Sequence, residues 1–133
     1  MKKRVFAAGI AAVLLLSCLL LAGRRPFLGL DAGDILAASV RLTPPDVTIG
    51  LEPPEIETLA ALLREVRVTR RDDSYTQYCG QGVTFALTMA DGTETRVMAY
   101  NPFLVIDGAG WRTTYAPCEA LNRFANELPR NAA

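Results

Sequence analysis

The sequence predicts a small α+β domain centred on a β-hairpin and preceded by an apolar N-terminal helix. Residues 83–100 form two alternating apolar and polar runs around Asp91-Gly92, a dipeptide typical of hairpin turns. Residues 56–66 and 118–128 repeat apolar side chains at helical spacing. The expected order is β-β-α-β-β-β-β-β-α, a mainly antiparallel sheet with two helices packed on one face.

The N-terminal segment has the layout of an export signal. Lys2, Lys3 and Arg4 form a basic start, and residues 5–23 form an almost wholly apolar stretch. An apolar stretch of about 19 residues is enough to cross a bilayer. The predicted organisation is therefore a signal peptide or signal anchor at 1–23, a linker at 24–34, one extracytoplasmic domain at 35–129 and a tail at 130–133.

Three fates fit this segment. Residues 15–18, Leu-Leu-Ser-Cys, resemble a lipoprotein box, which makes Cys18 a candidate for lipidation. The segment is otherwise retained as an anchor with its N-terminus inside, because the charges before it outnumber Arg24 and Arg25. In the third fate a signal peptidase removes it. Each fate predicts a domain outside the cytoplasm, anchored to the cell membrane, lipidated or secreted.

The first half of the domain is expected to contain two strands, a helix and a third strand. Alternation predicts a strand over 35–42 with Leu36, Ala38, Val40 and Leu42 on one face. Two prolines at 44–45 make a turn, and residues 47–51 form a short strand. A helix begins around Glu52-Pro53-Pro54-Glu55 and ends near residue 66. Its predicted core positions are Ile56, Leu59, Ala60, Leu63 and Val66.

A strand at 66–69 is followed by a charged cluster and a loop with two tyrosines. The cluster at 70–73, Arg-Arg-Asp-Asp, is interpreted as a solvated turn because its charges cancel locally. The alternatives are a salt-dependent binding patch or an acidic pair that holds a cation. In the loop at 74–82, Tyr75 and Tyr78 are candidate partner contacts, since tyrosine is favoured at interfaces. The alternative is that they cover the edge of the core.

A two-residue turn at Asp91-Gly92 sets the predicted register of the hairpin. The expected pairs are Met89 with Glu94, Leu87 with Arg96, Phe85 with Met98, and Val83 with Tyr100. This register points the larger apolar side chains towards the core: Val83, Phe85, Leu87, Met98 and Tyr100. It leaves a small, threonine-rich face open, on which Thr84, Thr88 and Thr95 are the candidate partner-binding residues.

The end of the chain predicts two more strands and a helix. Residues 103–106 and 111–115 form strands around a turn at 107–110, where Asp107 is structural. Pro117 starts the last helix and Pro129 stops it. The helical spacing of Cys118 with the apolar residues that follow it directs this cysteine towards the core.

Composition excludes several functions. The chain contains no His, and no Lys follows residue 23, which rules out histidine triads, histidine metal ligands and Schiff-base chemistry. After residue 23 there are 11 Arg against 14 Asp and Glu, a net charge of −3. Nucleic-acid binding is therefore not expected. No catalytic residue, cofactor or metal site is predicted.

Export makes the cysteines informative. Cys79 and Cys118 are the only pair in the folded part, and the compartment permits oxidation, so a disulfide between them is expected. A disulfide that closes the loop between these two cysteines would stabilise the domain by roughly 4 kcal/mol in the chain-entropy model. Two buried free thiols are the alternative.

The export segment, the ADGT hairpin, the strand pair FLVIDG and AGWRTTY and the closing CEALNRFANEL together resemble small uncharacterised exported or lipid-anchored domains of Gram-positive bacteria. The resemblance spans nearly the whole chain. It implies an exported fold and a location at the cell envelope, and it carries over no catalytic residue.

The expected function is therefore a non-enzymatic binding domain of the cell envelope. Its partner would be a protein, a peptide or a cell-wall component, bound through one sheet face or the loop with the tyrosines. One alternative is an inhibitor of a secreted enzyme, because a stapled loop is preorganised for binding. The other is a hydrolase that uses carboxylates. For it, Asp72 and Asp73 are the adjacent pair, with Glu94 and Glu119 distant in sequence.

Overall fold

The computed structural model describes residues 2–131, apart from the side chains of residues 19–22, 130 and 131. Within these residues the chain forms three α-helices and seven β-strands. They are α1 (Lys2–Ala22), β1 (Ile35–Thr43), β2 (Val47–Gly50), α2 (Pro53–Glu65), β3 (Val68–Arg71), β4 (Gly82–Met89), β5 (Glu94–Tyr100), β6 (Phe103–Ile106), β7 (Ala109–Thr113) and α3 (Tyr115–Asn131). Short 3-10 helices lie at Ala32–Asp34 and Ser74–Gln77.

The seven strands form one antiparallel sheet in the order β2-β1-β4-β5-β6-β7-β3. Strands β4 to β7 are consecutive in sequence and adjacent in space, as a meander. Strand β3 lies at the far edge, beside β7. The α+β class and the antiparallel sheet are thus confirmed.

Helices α2 and α3 contact each other, and both contact the sheet. The core lies between these helices and one face of the sheet. Because side chains alternate along each strand, Val40, Phe85 and Val97 point to this face and are fully buried. Phe124 of α3 stacks on Phe85 with ring centroids 6.3 Å apart. Burying each large apolar side chain contributes about 1.5–3 kcal/mol, so this layer carries most of the stability.

The start of α2 follows the predicted chemistry. Pro53 occupies its first position, and the Glu55 carboxylate accepts a hydrogen bond from the Glu52 backbone N–H at 2.8 Å. The predicted stripe is buried: Ile56, Leu59, Ala60 and Leu63. Val66 is buried just after the helix ends, and the following strand occupies 68–71 and not 66–69.

Further local predictions were wrong, including the strand expected at 111–115, which is β7 at 109–113. On β1, a register shift between Ile35 and Ala37 buries Ile35 and leaves Leu36 67% exposed. Helix α3 begins at Tyr115 and continues through Pro129 to Asn131. Pro129 lacks a backbone N–H, so the helix loses one hydrogen bond there, and the chain keeps helical geometry for two more residues.

Helix α1 contacts the domain at β3. Its described side chains, residues 2–18, are all exposed, and most of them are apolar.

In the part of the chain that the structure describes, no helix has both the length and the apolar character needed to cross a membrane.

Candidate functional site

The sheet has a second face, which points away from α2 and α3 and which we call the open face. Strand pairing places five residues in one row across its middle: Arg41, Thr84, Met98, Val105 and Gly110. The row therefore mixes a cation, a hydroxyl and two apolar side chains, and it is not uniformly threonine-rich.

The predicted hairpin register was wrong by one residue, because the turn has three residues. The Met89 N–H donates to the Thr93 carbonyl at 2.8 Å, and the Gly92 N–H donates to the Met89 carbonyl at 2.9 Å. Gly92 has φ +87°, the left-handed geometry that commonly closes a three-residue hairpin loop. The observed pairs therefore include Thr88 with Glu94.

A slip of one residue moves every side chain of a strand to the opposite face. Met98 and Tyr100 consequently lie on the open face, and Val97 and Ala99 are buried in the core. The three candidate threonines do not share one surface. Thr84 and Thr88 lie on the open face, whereas Thr95 pairs with buried Leu87 and lies on the core-facing side.

A shallow cleft of about 230 Å³ lies on the open face. The tyrosine ring, the thioether and the isopropyl group supply apolar surface, and a threonine hydroxyl and a guanidinium supply polar atoms. The lining residues are Tyr75, Thr84, Arg96, Met98, Val105 and Gly108. Two of the predicted partner-binding residues, Tyr75 and Thr84, thus lie beside the same cleft.

Beside this cleft, the open face buries one large side chain. Phe103 is only 1% exposed although it lies outside the core beneath the helices. Tyr75 and Tyr78 cover its ring with centroids 6.3 and 5.5 Å away, and the Arg112 guanidinium lies 4.6 Å above it. Both tyrosines therefore pack on the sheet, with Tyr78 still 57% exposed, and their contact with a partner stays a prediction.

These tyrosines belong to residues 72–81, which we call the tyrosine loop. Gly110 of β7 fixes the start of this loop: its carbonyl accepts from the Asp72 N–H at 2.9 Å, and its N–H donates to Asp73 Oδ1 at 2.7 Å. A Cβ atom at Gly110 would collide with the Asp72 carbonyl oxygen and come within 2.7 Å of the Tyr75 ring. A glycine is needed here because the loop backbone lies directly on the strand.

The two aspartates of the loop are structural. The Arg112 Nε donates to Asp72 Oδ2 at 2.8 Å, and the Ser74 N–H donates to Asp72 Oδ1 at 2.9 Å. Hydrogen bonds from Ser74 and then Arg112 hold the pKa of Asp72 well below its usual range. Asp73 also pairs with Arg71 at 3.1 Å. The segment at 70–73, expected to be a solvated turn, therefore also clamps the loop to the sheet.

This arrangement offers little to a carboxylate hydrolase. A carboxyl group held ionised is a poor proton donor, and both oxygens of Asp72 already accept hydrogen bonds. Glu94 pairs with Arg96 at 2.8 Å, and Glu119 lies on α3, on the other side of the sheet. Within residues 2–131, as far as they are described, no group of three or more His, Cys, Asp or Glu side chains could hold a metal ion.

The predicted disulfide between Cys79 and Cys118 is absent, and both are free thiols. Cys79 is exposed in the tyrosine loop, whereas Cys118 is fully buried in α3 with its Sγ 3.6 Å from the Phe103 carbonyl oxygen. Burial raises the pKa of Cys118 to about 12, which leaves it a small apolar core residue. Cys18, the lipidation candidate, is exposed on α1.

A second cleft, of about 450 Å³, separates the linker from the hairpin tip. Its walls are Pro26, Phe27, Gly29, Leu30, Asp34, Met89, Ala90 and Asp91. The carboxylates stabilise their own turns: Asp34 accepts from the Asp31 N–H at 3.0 Å, and Asp91 accepts from the Thr93 N–H and hydroxyl at 2.9 and 2.6 Å. The Thr93 bonds lower the pKa of Asp91.

Sequence reasoning missed four residues of the open face: Arg96, Met98, Val105 and Phe103. A signal for two of them was present in the hairpin. Taking Ala90-Asp91-Gly92 as a three-residue loop would have moved Arg96 and Met98 to this face. The burial of Phe103 depends on the tyrosine loop folding back, for which the sequence carries no local signal.

The cleft takes its lining from three strands, the tyrosine loop and the turn after β6, so the fold as a whole assembles it and no short motif encodes it. Comparisons with protein-family models, with curated proteins and with solved structures give no match to this chain.

Proposed function

We propose that this protein is a non-enzymatic binding domain of the cell envelope, and that the open face binds a protein or peptide partner. The observation that carries the proposal is the cleft of about 230 Å³, which combines three apolar walls with one hydroxyl and one guanidinium. Methionine and aromatic residues are enriched at such contact surfaces.

The size of the cleft favours a macromolecular partner. Sites for small molecules usually enclose about 300–1,000 Å³, more than this cleft provides. A depression of 230 Å³ accommodates a single side chain that projects from a larger surface. Contacts outside the cleft would then come from the row of residues that crosses the sheet.

Arg96 indicates the chemistry of the partner. Its side chain is 67% exposed, and its Nε donates to Glu94 at 2.8 Å. A guanidinium has five N–H donors, so most of them remain for a carbonyl or carboxylate of the partner. The matching ligand is an apolar side chain next to an acidic or carbonyl group.

The location at the envelope is supported by α1. A helix that is apolar on all sides is normally covered by protein or by lipid. The described side chains of α1 are exposed, so lipid is the natural cover. We propose that the domain is held on the extracytoplasmic side of the cell membrane through this segment. Lipidation at Cys18 and release by cleavage are the other outcomes.

The two alternative functions have less support. An inhibitor requires a protruding, preorganised loop, whereas Tyr75 and Tyr78 anchor the tyrosine loop on Phe103. A hydrolase requires carboxylates that are free to exchange protons, whereas Asp72 and Asp73 fasten the loop to β7.

Photo-crosslinking in intact cells tests the proposal with a matched pair of threonines. Thr84 and Thr95 lie on adjacent strands of one hairpin but on opposite faces of the sheet. p-Benzoylphenylalanine replaces one of them at a time in the full-length chain, and the cells are irradiated. We expect a discrete crosslinked protein from position 84 and none from position 95. Equal yields from both positions, or no product at 84, would contradict binding through the open face.

A further inference from the structure

A single β-bridge ties the segment after α1 to the sheet. After the helix, Gly23 adopts φ +75°, and a side chain there would collide with the Val68 carbonyl oxygen. The next residue forms a β-bridge with β3. The Arg24 N–H donates to the Val68 carbonyl, and the Val68 N–H donates to the Arg24 carbonyl, both at 2.9 Å. The end of α1 therefore lies next to the β3 edge of the sheet.

The direction of this pairing decides what surrounds the end of α1. Because Arg24 and Val68 pair antiparallel, the chain that follows Val68 runs back towards the helix. Arg70 and Arg71, in the second half of β3, therefore lie on the α1 side of this pair, and α1 contacts β3. The Arg24 and Arg71 guanidiniums lie 4.7 and 5.3 Å from the Trp111 ring centroid.

We call Arg24, Arg70, Arg71 and Trp111 the junction patch. Its three arginines are exposed. Arg71 pairs with Asp73 at 3.1 Å, whereas neither Arg24 nor Arg70 has a carboxylate within ion-pair distance among the described residues. Arg70 pairs with Arg112 and lies on the open face, whereas Arg71 and Trp111 share the opposite face, where Trp111 is half-buried against the core. The patch therefore wraps around the β3 edge of the sheet, as a basic surface beside a partly exposed aromatic ring at the root of an apolar helix.

We infer that the junction patch lies in the headgroup layer of an anionic membrane whose lipids cover the exposed side chains of α1. The inference deepens the proposed function and rests on its membrane attachment. The planar arginine guanidinium binds phosphate oxygens in bidentate geometry. Basic residues next to a membrane segment are attracted to anionic lipids. Tryptophan concentrates at the membrane–water interface, where one part of its ring is apolar and the other wet.

This placement orients the whole domain. Strand β3 forms the edge at the membrane, and β2, at the other end of the sheet, lies farthest from it. The cleft, which draws on β4, β5 and β6, is carried by the middle of the sheet, where it remains accessible to a partner at the membrane surface.

Trp111 is the only tryptophan of the sequence, so its fluorescence reports on the patch directly. The full-length chain is reconstituted into vesicles of phosphatidylglycerol and phosphatidylcholine, or of phosphatidylcholine alone, each containing a lipid with a TEMPO group on its headgroup. We expect strong quenching of Trp111 in the anionic vesicles and weaker quenching in the zwitterionic ones. High salt should reduce the quenching in the anionic vesicles, because screening weakens the attraction.

The variant Arg70→Glu should lose most of this quenching, whereas Arg123→Glu should keep it. Arg123 is exposed on α3 and gives the same change of charge away from the patch. Urea midpoints show that both variants are folded. If the chain floats with the vesicles but Trp111 is quenched equally in all variants and lipids, the patch is refuted and the attachment stands. If the chain does not float, both are refuted, while the crosslinking at position 84 still tests partner binding separately.

Discussion

The two faces of the sheet bury aromatic side chains in different ways. On the core face, Phe85 is covered by α3 and by neighbouring strands within one continuous apolar layer. On the open face, Phe103 is covered only by a loop, two tyrosines and an arginine, and the surface beside it stays open as a cleft. One side of the alternating strands is thus closed by helices, and the other keeps an open cleft.

The largest difference between the faces is expected from truncating one side chain on each. Phe85→Ala should destabilise the domain by about 3–5 kcal/mol, because it leaves a cavity beneath the helices. Met98→Ala, on the adjacent strand but facing the cleft, should cost about 1 kcal/mol or less. Urea denaturation of both variants measures the two values. Equal losses would mean that the open face is packed like the core.

A smaller effect is expected where the tyrosine loop meets the sheet. Gly110→Ala should cost about 1–3 kcal/mol and detach the loop, because the new methyl group collides with Asp72 and Tyr75. Gly50→Ala is the matched control, since a Cβ there meets no atom within 4 Å. Hydrogen exchange should rise across residues 72–81 only in the Gly110 variant. Unchanged protection there would show that the loop is not held by this contact.

The clamp at Asp72 predicts a dependence on pH. Its pKa is lowered in the folded chain, so its contribution to stability is full above the unfolded pKa of about 3.9 and is lost as the pH falls towards the folded value. Asp72→Asn should therefore lower the urea midpoint at pH 7, and the difference from the parent should shrink below about pH 4. Asp46→Asn removes a surface pair with Arg41 and should change little. A constant difference between pH 3 and pH 7 would exclude the clamp.

The smallest effect is expected at Cys79. Since its thiol is free and exposed, Cys79→Ser should change the free energy of unfolding by about 0.5 kcal/mol or less. Loss of a native disulfide would instead cost about 2–5 kcal/mol. Thiol labelling of the denatured, unreduced chain should modify both Cys79 and Cys118. If neither cysteine is labelled, the predicted disulfide between them is present.

Much of the fold was predictable because it follows from local patterns. The stripe from Ile56 to Leu63, the proline at the start of α2 and the strands of the meander all depend on spacing within one element. The hairpin register was not predictable from the Asp91-Gly92 dipeptide alone, since the same residues also close a three-residue loop. This shift of one residue in the register decides which side chains line the open face.

The candidate site was predictable only in part. Tyr75 and Thr84 were identified from composition and strand pattern, and both line the cleft. Met98 and Val105 were missed because their role depends on the register and on a loop that folds back from residue 72. The prediction of a disulfide was wrong because pairing the cysteines by elimination ignores where each thiol lies. Cys118 is inside the core, and Cys79 is outside it.

The most direct test of binding through the open face is a substitution that fills the cleft and leaves the core intact. Met98→Arg, added to the chain that carries p-benzoylphenylalanine at position 84, places a charged side chain where an apolar partner group would lie. We predict that the crosslinked product disappears while the urea midpoint stays close to that of the parent. A folded variant that crosslinks as strongly as the parent would contradict the assignment of function to the open face.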